Sequence, residues 1–181
     1  MHNFLPKQYY FIDQFDKKNI DKLKINTGII YRNYTKKLDK KLVLELKYYC
    51  KKKKLKFFIS NNFKVAHQLK LDGAYIPSFN ANFRHLNYQV RNNFIIIGSA
   101  HNIKEIRIKE KQNVKLIFLS PIFKTKKNKN FLDIMRFNNL SQITKKPIIA
   151  LGGINTINVK KLKMTNAFGF SGISHIKKIV N

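Results

Sequence analysis

Residues 115–162 read KLIFLSPIFKTKKNKNFLDIMRFNNLSQITKKPIIALGGINTINVKKL, and the order of patterns within them decides the fold. A short apolar run, KLIFLS (Lys115 to Ser120), is followed by an amphipathic stretch from Ile134 to Ile143. A second short run, PIIAL (Pro147 to Leu151), ends in Gly152-Gly153, and a further stretch with helical spacing covers Ile157 to Leu162. The apolar runs are near-continuous and rich in Ile and aromatics, as strands buried on both faces of a parallel sheet require. The unit is therefore strand, helix, strand, helix.

Working outward, the same alternation fills the chain. Six more runs of this kind are YYFI (Tyr9 to Ile12), GIIY (Gly28 to Tyr31), KFFIS (Lys56 to Ser60), GAYI (Gly73 to Ile76), FIIIG (Phe94 to Gly98) and FGFSGI (Phe168 to Ile173). Between them, Leu38 to Tyr49, Phe63 to Lys70 and Ile103 to Lys111 carry apolar residues at helical spacing. Eight strand units predict an α/β protein, a compact single-domain (β/α)8 TIM barrel over residues 1–181. At 181 residues the chain is short for that fold, so several helices should be shortened or missing, the last among them. An open doubly wound sheet with fewer strands is the alternative.

Composition narrows the class. With 44% hydrophobic and 13% aromatic residues the chain can cover a core, so disorder is excluded despite the charge. No run approaches a membrane span, and the opening MHNFLPKQYYFIDQF has no apolar core or small-residue cleavage site. With a single cysteine, Cys50, no internal disulfide can form, and a cytoplasmic location is expected. The net charge of +28 raises nucleic acid as a partner, yet only five of the 37 basic residues are Arg, the side chain suited to bidentate phosphate and base contacts. Lysine, with Asn, Ile and Phe, tracks A/T-rich codons, so nucleic acid is not expected as a partner. The run Lys51 to Lys54 is read as a solvated helix end.

In a (β/α)8 barrel the chemistry sits where strands end. Arg32 follows the second run, Ser60-Asn61-Asn62 the third, Ser99-Ala100-His101 the fifth, Pro121 to Thr125 the sixth, Gly152-Gly153 the seventh, and Gly172-Ile173-Ser174-His175 the eighth. Glycines after the seventh strand and small residues after the eighth leave backbone N–H groups open to phosphate oxygens. A tight strand-to-helix turn explains Gly152-Gly153 equally well.

These residues also carry a resemblance. IIGSAH, LIFLSPIFKT, KPIIALGGINTINVKKL and AFGFSGISHI, in this order between Ile96 and Ile176, resemble the second half of the thiamine phosphate synthase/TenI family. YYFID, IIYRNY and FFISNNFKVAHQLKLDGAYIPSFN are similar to its first half. The resemblance implies a compact barrel of thiamine biosynthesis. It would bind thiazole phosphate and join it to hydroxymethylpyrimidine diphosphate with loss of pyrophosphate, using Mg²⁺ held by carboxylates. By matching motifs, it assigns Arg32 and Ser99 to the pyrophosphate as catalytic residues. It assigns Thr125, Gly153, Ile173 and Ser174 to the thiazole phosphate, with Lys127 standing near a lost lysine. Asn61 and Asn80 occupy the two positions where synthases keep Asp; both are expected in the substrate site. With those charges gone, no metal ligand is assigned and Mg²⁺ is expected to help weakly at most. The tautomerase branch places an acid/base histidine where this chain has Pro121. A divergent barrel that binds phosphate without catalysis, as a sensor or partner subunit, is the alternative function. Homo-oligomers are left open. His101 is read as orienting and Asp72 as a turn residue.

Overall fold

A computed structural model describes residues 4–35, 37–125 and 130–172. Its strands are β1 (Gln8–Ile12), β2 (Gly28–Tyr31), β3 (Lys56–Ser60), β4 (Gly73–Ile76), β5 (Ile95–Ala100), β6 (Leu116–Leu119), β7 (Ile148–Leu151) and β8 (Gly169–Ser171). All pair in parallel in sequence order, and β8 returns to β1 through Gln8↔Phe170 and Tyr9↔Ser171, closing the barrel. The open-sheet alternative is thereby excluded.

The helices are α1 (Lys17–Asp21), α2 (Lys40–Lys52), α3 (Phe63–Gln68), α4 (Ile103–Lys111) and α5 (Asp133–Gln142). After β4 and β7 the connection is only a 3-10 turn, at Arg84–Asn87 and Val159–Met164. This is how a short chain closes eight strands. Asp39, Asn62 and Asn102 cap α2, α3 and α4, each side chain accepting from backbone N–H groups in the first turn. Among the described residues no helix is long and apolar enough to cross a membrane.

Period-two alternation splits the apolar residues into two cores. Tyr10, Ile12, Ile29 and Ile59 face outward and pack with Val43, Leu46 and Cys50 of α2, Ile106 of α4 and Phe137 of α5. Tyr9, Phe11, Ile30, Phe58, Tyr75, Ile97, Leu116, Phe118 and Ile149 fill the lumen. Phe118 is its hub, with ring centroids 4.9 Å from Tyr9, 5.9 Å from Phe11 and 5.5 Å from Tyr75, all edge-on. The lumen is thus plugged, and any ligand must sit above it.

Candidate functional site at the C-terminal mouth

The same alternation that fills the lumen continues one step past it and turns polar. Two residues beyond Ile30 lies Arg32, beyond Phe58 lies Ser60, beyond Ile97 lies Ser99, and beyond Phe118 lies Ser120. The three serines are buried, and together with Arg32 they continue the lumen-facing rows above the plug, where such barrels place their chemistry.

Arg32 is held from two sides. Its backbone N–H donates to the Ile12 carbonyl at 2.7 Å, and its guanidinium carbon lies 4.7 Å from the centroid of the Phe11 ring. This cation–π contact places the charge in the wall of the mouth. Beside it, burial pushes the Tyr75 phenol up to about 12 against a smaller opposing pull from Ser99 and Arg32. Tyr75 is therefore neutral at any working pH. Phe11 and Tyr75 meet edge-on at 5.4 Å. One cavity of about 210 Å³ opens on the Phe11 side, lined by Arg32, Asp13 and Asp16 among others; another of about 140 Å³ opens on the Tyr75 side, with Asn61, Asn80 and Arg84 in its wall.

Asn61 and Asn80 come together directly: the Asn80 side-chain amide donates to Asn61 Oδ1 at 2.6 Å. The pair stands between the ends of β3 and β4, flanked by Tyr34, whose hydroxyl lies 2.7 Å from Ser60 Oγ and whose ring meets Phe79 edge-on at 5.8 Å. Two neutral amides that satisfy one another are a poor donor set for a hard divalent cation, which needs anionic oxygens. Among the described residues no group of three or more His, Cys, Asp or Glu side chains is placed to hold a metal ion.

Across the mouth, the turn after β7 is built by backbone. Gly152 and Gly153 have φ of +94° and +71°, conformations that L side chains rarely adopt. A Cβ on Gly153 would stand 2.6 Å from the Lys124 carbonyl oxygen and still nearer that of Phe123, and one on Gly152 would stand 2.7 Å from Pro121 Cβ. Ile122 N–H donates to the Leu151 carbonyl and Phe123 N–H to the Gly152 carbonyl. Thr125 therefore stands one residue beyond a loop that is locked onto the glycine turn. The glycines are required by this packing whatever binds above them. Lys127, Ile173 and Ser174 lie outside the described residues.

His101 is tied to Glu105, its Nδ1 at 2.9 Å and its backbone N–H at 2.7 Å from Glu105 Oε2, at the start of α4. Asp72 sits at the opposite end of the barrel, accepting from Phe57 N–H at 2.9 Å and paired with Lys56 at 3.1 Å. Both fit the structural roles expected of them. Ser120 and Tyr75 escape attention when each strand end is read alone. Counting by two from Phe118 identifies Ser120, and Tyr75 belongs to the lumen row itself.

A parallel closed barrel whose polar residues gather above a plugged lumen defines a (β/α)8 protein with its candidate site at the C-terminal mouth. Residues 22–176 match the family model described as thiamine monophosphate synthase, TMP-TENI, and the chain belongs to that family. It is 33% identical to the putative thiamine-phosphate synthase 2 of Aquifex aeolicus over 74% of this chain and 73% of that protein. It is 28% identical to the thiamine-phosphate synthase of Methanococcus vannielii over 68% of this chain, but spans only 59% of that relative's length. Among solved structures, thiamine phosphate pyrophosphorylase from Pyrococcus furiosus superimposes with a TM-score of 0.73 at 17% identity, over 94% of this chain and 87% of that one, a likeness of fold.

Proposed function

We propose that this protein is a cytoplasmic thiamine-phosphate synthase-like transferase. It would bind a phosphorylated thiazole and hydroxymethylpyrimidine diphosphate at the C-terminal mouth and join them with release of pyrophosphate. The observation that carries this reading is Arg32, held over Phe11 beside Tyr75 and Ser99, in a chain of this family. In the transfer, the bond between the pyrimidine methylene and the diphosphate oxygen breaks and pyrophosphate leaves with the electron pair. The thiazole nitrogen then supplies the pair for the new C–N bond. The protein's task is to stabilise charge growing on the leaving oxygens and to hold the two rings in line. Arg32 and Ser99 are the groups proposed for the first task. The turn at Gly153 with Thr125, together with Lys127, Ile173 and Ser174, is proposed for the thiazole phosphate.

Asn61 and Asn80 do not suit Mg²⁺, so no step is assigned to the metal and Mg²⁺ is proposed to have at most a weak effect. The same pair favours the second reading, a divergent barrel that keeps phosphate binding and has lost catalysis. Incubating the chain with both thiamine precursors and following pyrophosphate release separates the two. Turnover above the uncatalysed rate supports the transferase. Thiazole phosphate binding without turnover supports the binding protein.

A further inference from the structure

Helix α4 buries a lysine. Lys109 is 0% exposed, and its three ammonium hydrogens go to three neutral oxygens, Pro77 O, Asn80 O and Gln112 Oε1, each at 2.8 Å. No carboxylate of the described residues lies within hydrogen-bonding distance; Glu105, one turn back on the same helix, acts on it only through space. A buried charge without a partner ion is costly, and a Leu or Met would fill this apolar helix face without that cost. Burial accordingly lowers the Lys109 pKa to about 8.

The neighbourhood is arranged around this side chain. The β5 residue beneath it is Gly98, where a Cβ would stand 2.9 Å from Lys109 Cδ. One turn further along the chain, Gln112 donates through Nε2 to Asn80 O and Asn82 O, both at 2.9 Å, while its own carbonyl lies 2.8 Å from His85 Nε2. Five hydrogen bonds therefore gather the carbonyls of residues 77–82 and the following 3-10 turn onto the C-terminal end of α4. That segment presents Asn80 to Asn61 and Phe79 to Tyr34.

We propose that Lys109, supported by Gln112, is a positioning residue: an internal cation in an oxygen cage that fixes the loop after β4, and with it the Asn61–Asn80 side of the anion site. This rests on the reading that pyrophosphate binds at this mouth. It predicts an asymmetric effect, because the thiazole phosphate groups are proposed on the loops after β6 to β8, whose described residues make no hydrogen bond with Lys109.

The test uses the full chain and Lys109→Met. Affinities for pyrophosphate and for thiazole phosphate are measured separately by calorimetry, alongside amide hydrogen exchange of residues 78–82. The expected result is pyrophosphate affinity weakened about tenfold, thiazole phosphate affinity within about twofold of the natural chain, and exchange accelerated in 78–82 but not in β6 and β7. Equal weakening of both ligands, or unchanged exchange in 78–82, overturns the proposal. If the natural chain binds neither ligand, the proposed function fails, while exchange in 78–82 still decides whether Lys109 fixes the loop. Should Lys109→Met fail to fold, Gln112→Leu, which keeps the charge and removes two loop bonds, is judged by the same exchange criterion.

Discussion

The two sides of the barrel mouth are built on different principles. On the β6–β7 side the turn is set largely by main chain: two positive-φ glycines, and a loop hydrogen-bonded to the end of β7, with the Asn158 side-chain amide donating to the Gly153 carbonyl. On the β3–β4 side it is set by side chains, with Asn61 against Asn80, Tyr34 against Ser60, and Lys109 and Gln112 beneath the loop. A backbone-built turn admits few replacements but tolerates many ligands. A side-chain-built wall can exchange its chemistry while the fold stands.

The largest effect expected to separate the two sides is that of Gly153→Val. At φ +71°, with carbonyl oxygens of Phe123 and Lys124 in the way, a branched side chain must displace the loop after β6. A loss of about 3 kcal/mol is expected in urea denaturation, combining backbone strain and overpacking. The carbonyls packed over Gly153 leave no room for a Val that would block phosphate without disturbing the fold. A denaturation midpoint equal to that of the natural chain would show the turn to be looser than described.

Next comes the double change Asn61→Asp, Asn80→Asp. It removes the amide donor of the 2.6 Å bond and sets two carboxylates face to face. Without metal the pair should destabilise the fold by about 1–2 kcal/mol at neutral pH, through repulsion and the lost bond. Such a pair raises one carboxyl pKa in the folded state, so stability should return as pH falls through that raised value, or on adding Mg²⁺. Thermal melting across pH 4–8, with and without Mg²⁺, reads both. A variant whose melting ignores Mg²⁺ would show that the two positions do not form a cation site even when charged.

How much of this was legible in sequence follows the same division. Near-continuous runs such as KLIFLS and PIIAL reported strands buried on both faces, and their number and spacing reported the barrel. The stretch Ile157 to Leu162 reads as helical, yet the chain there forms a 3-10 turn over Val159–Met164. At the site, Arg32, Ser99, Asn61 and Asn80 were visible at or near strand ends. Lys109 was not, because Ile103 to Lys111 satisfies an amphipathic pattern with a lysine on either face, and only the packed loop shows which face this one occupies. Tyr75 was hidden inside GAYI, where an aromatic is what a strand core calls for.

A smaller effect is expected from Tyr75→Phe, which removes the phenol oxygen beside Ser99 while keeping the ring against Phe11 and Phe118. Stability should change by no more than about 1 kcal/mol, with pyrophosphate affinity falling by a few fold as the wall beside Ser99 loses its polar group. Smallest, and opposite in sign, is Tyr9→Phe. The Tyr9 hydroxyl is buried and has no hydrogen-bond partner among the described residues, and burial pushes its pKa upward. Removing it should leave stability unchanged or raise it by up to about 1 kcal/mol, with no effect on ligand binding, because the ring packing of the lower lumen is kept. A clear loss of stability would mean that the hydroxyl is satisfied.

If the mouth holds its anion through Arg32, Ser99 and backbone groups, as proposed, and not through a divalent cation, pyrophosphate affinity should depend on Arg32 and hardly on Mg²⁺. The most direct measurement is pyrophosphate affinity across a Mg²⁺ titration, for the natural chain and for Arg32→Ala. Binding by the natural chain that changes less than about threefold with Mg²⁺, and that falls at least tenfold in Arg32→Ala, is the result expected from a site of fixed cation and neutral amides. Binding or turnover that appears only when Mg²⁺ is added, and that survives in Arg32→Ala, would contradict it.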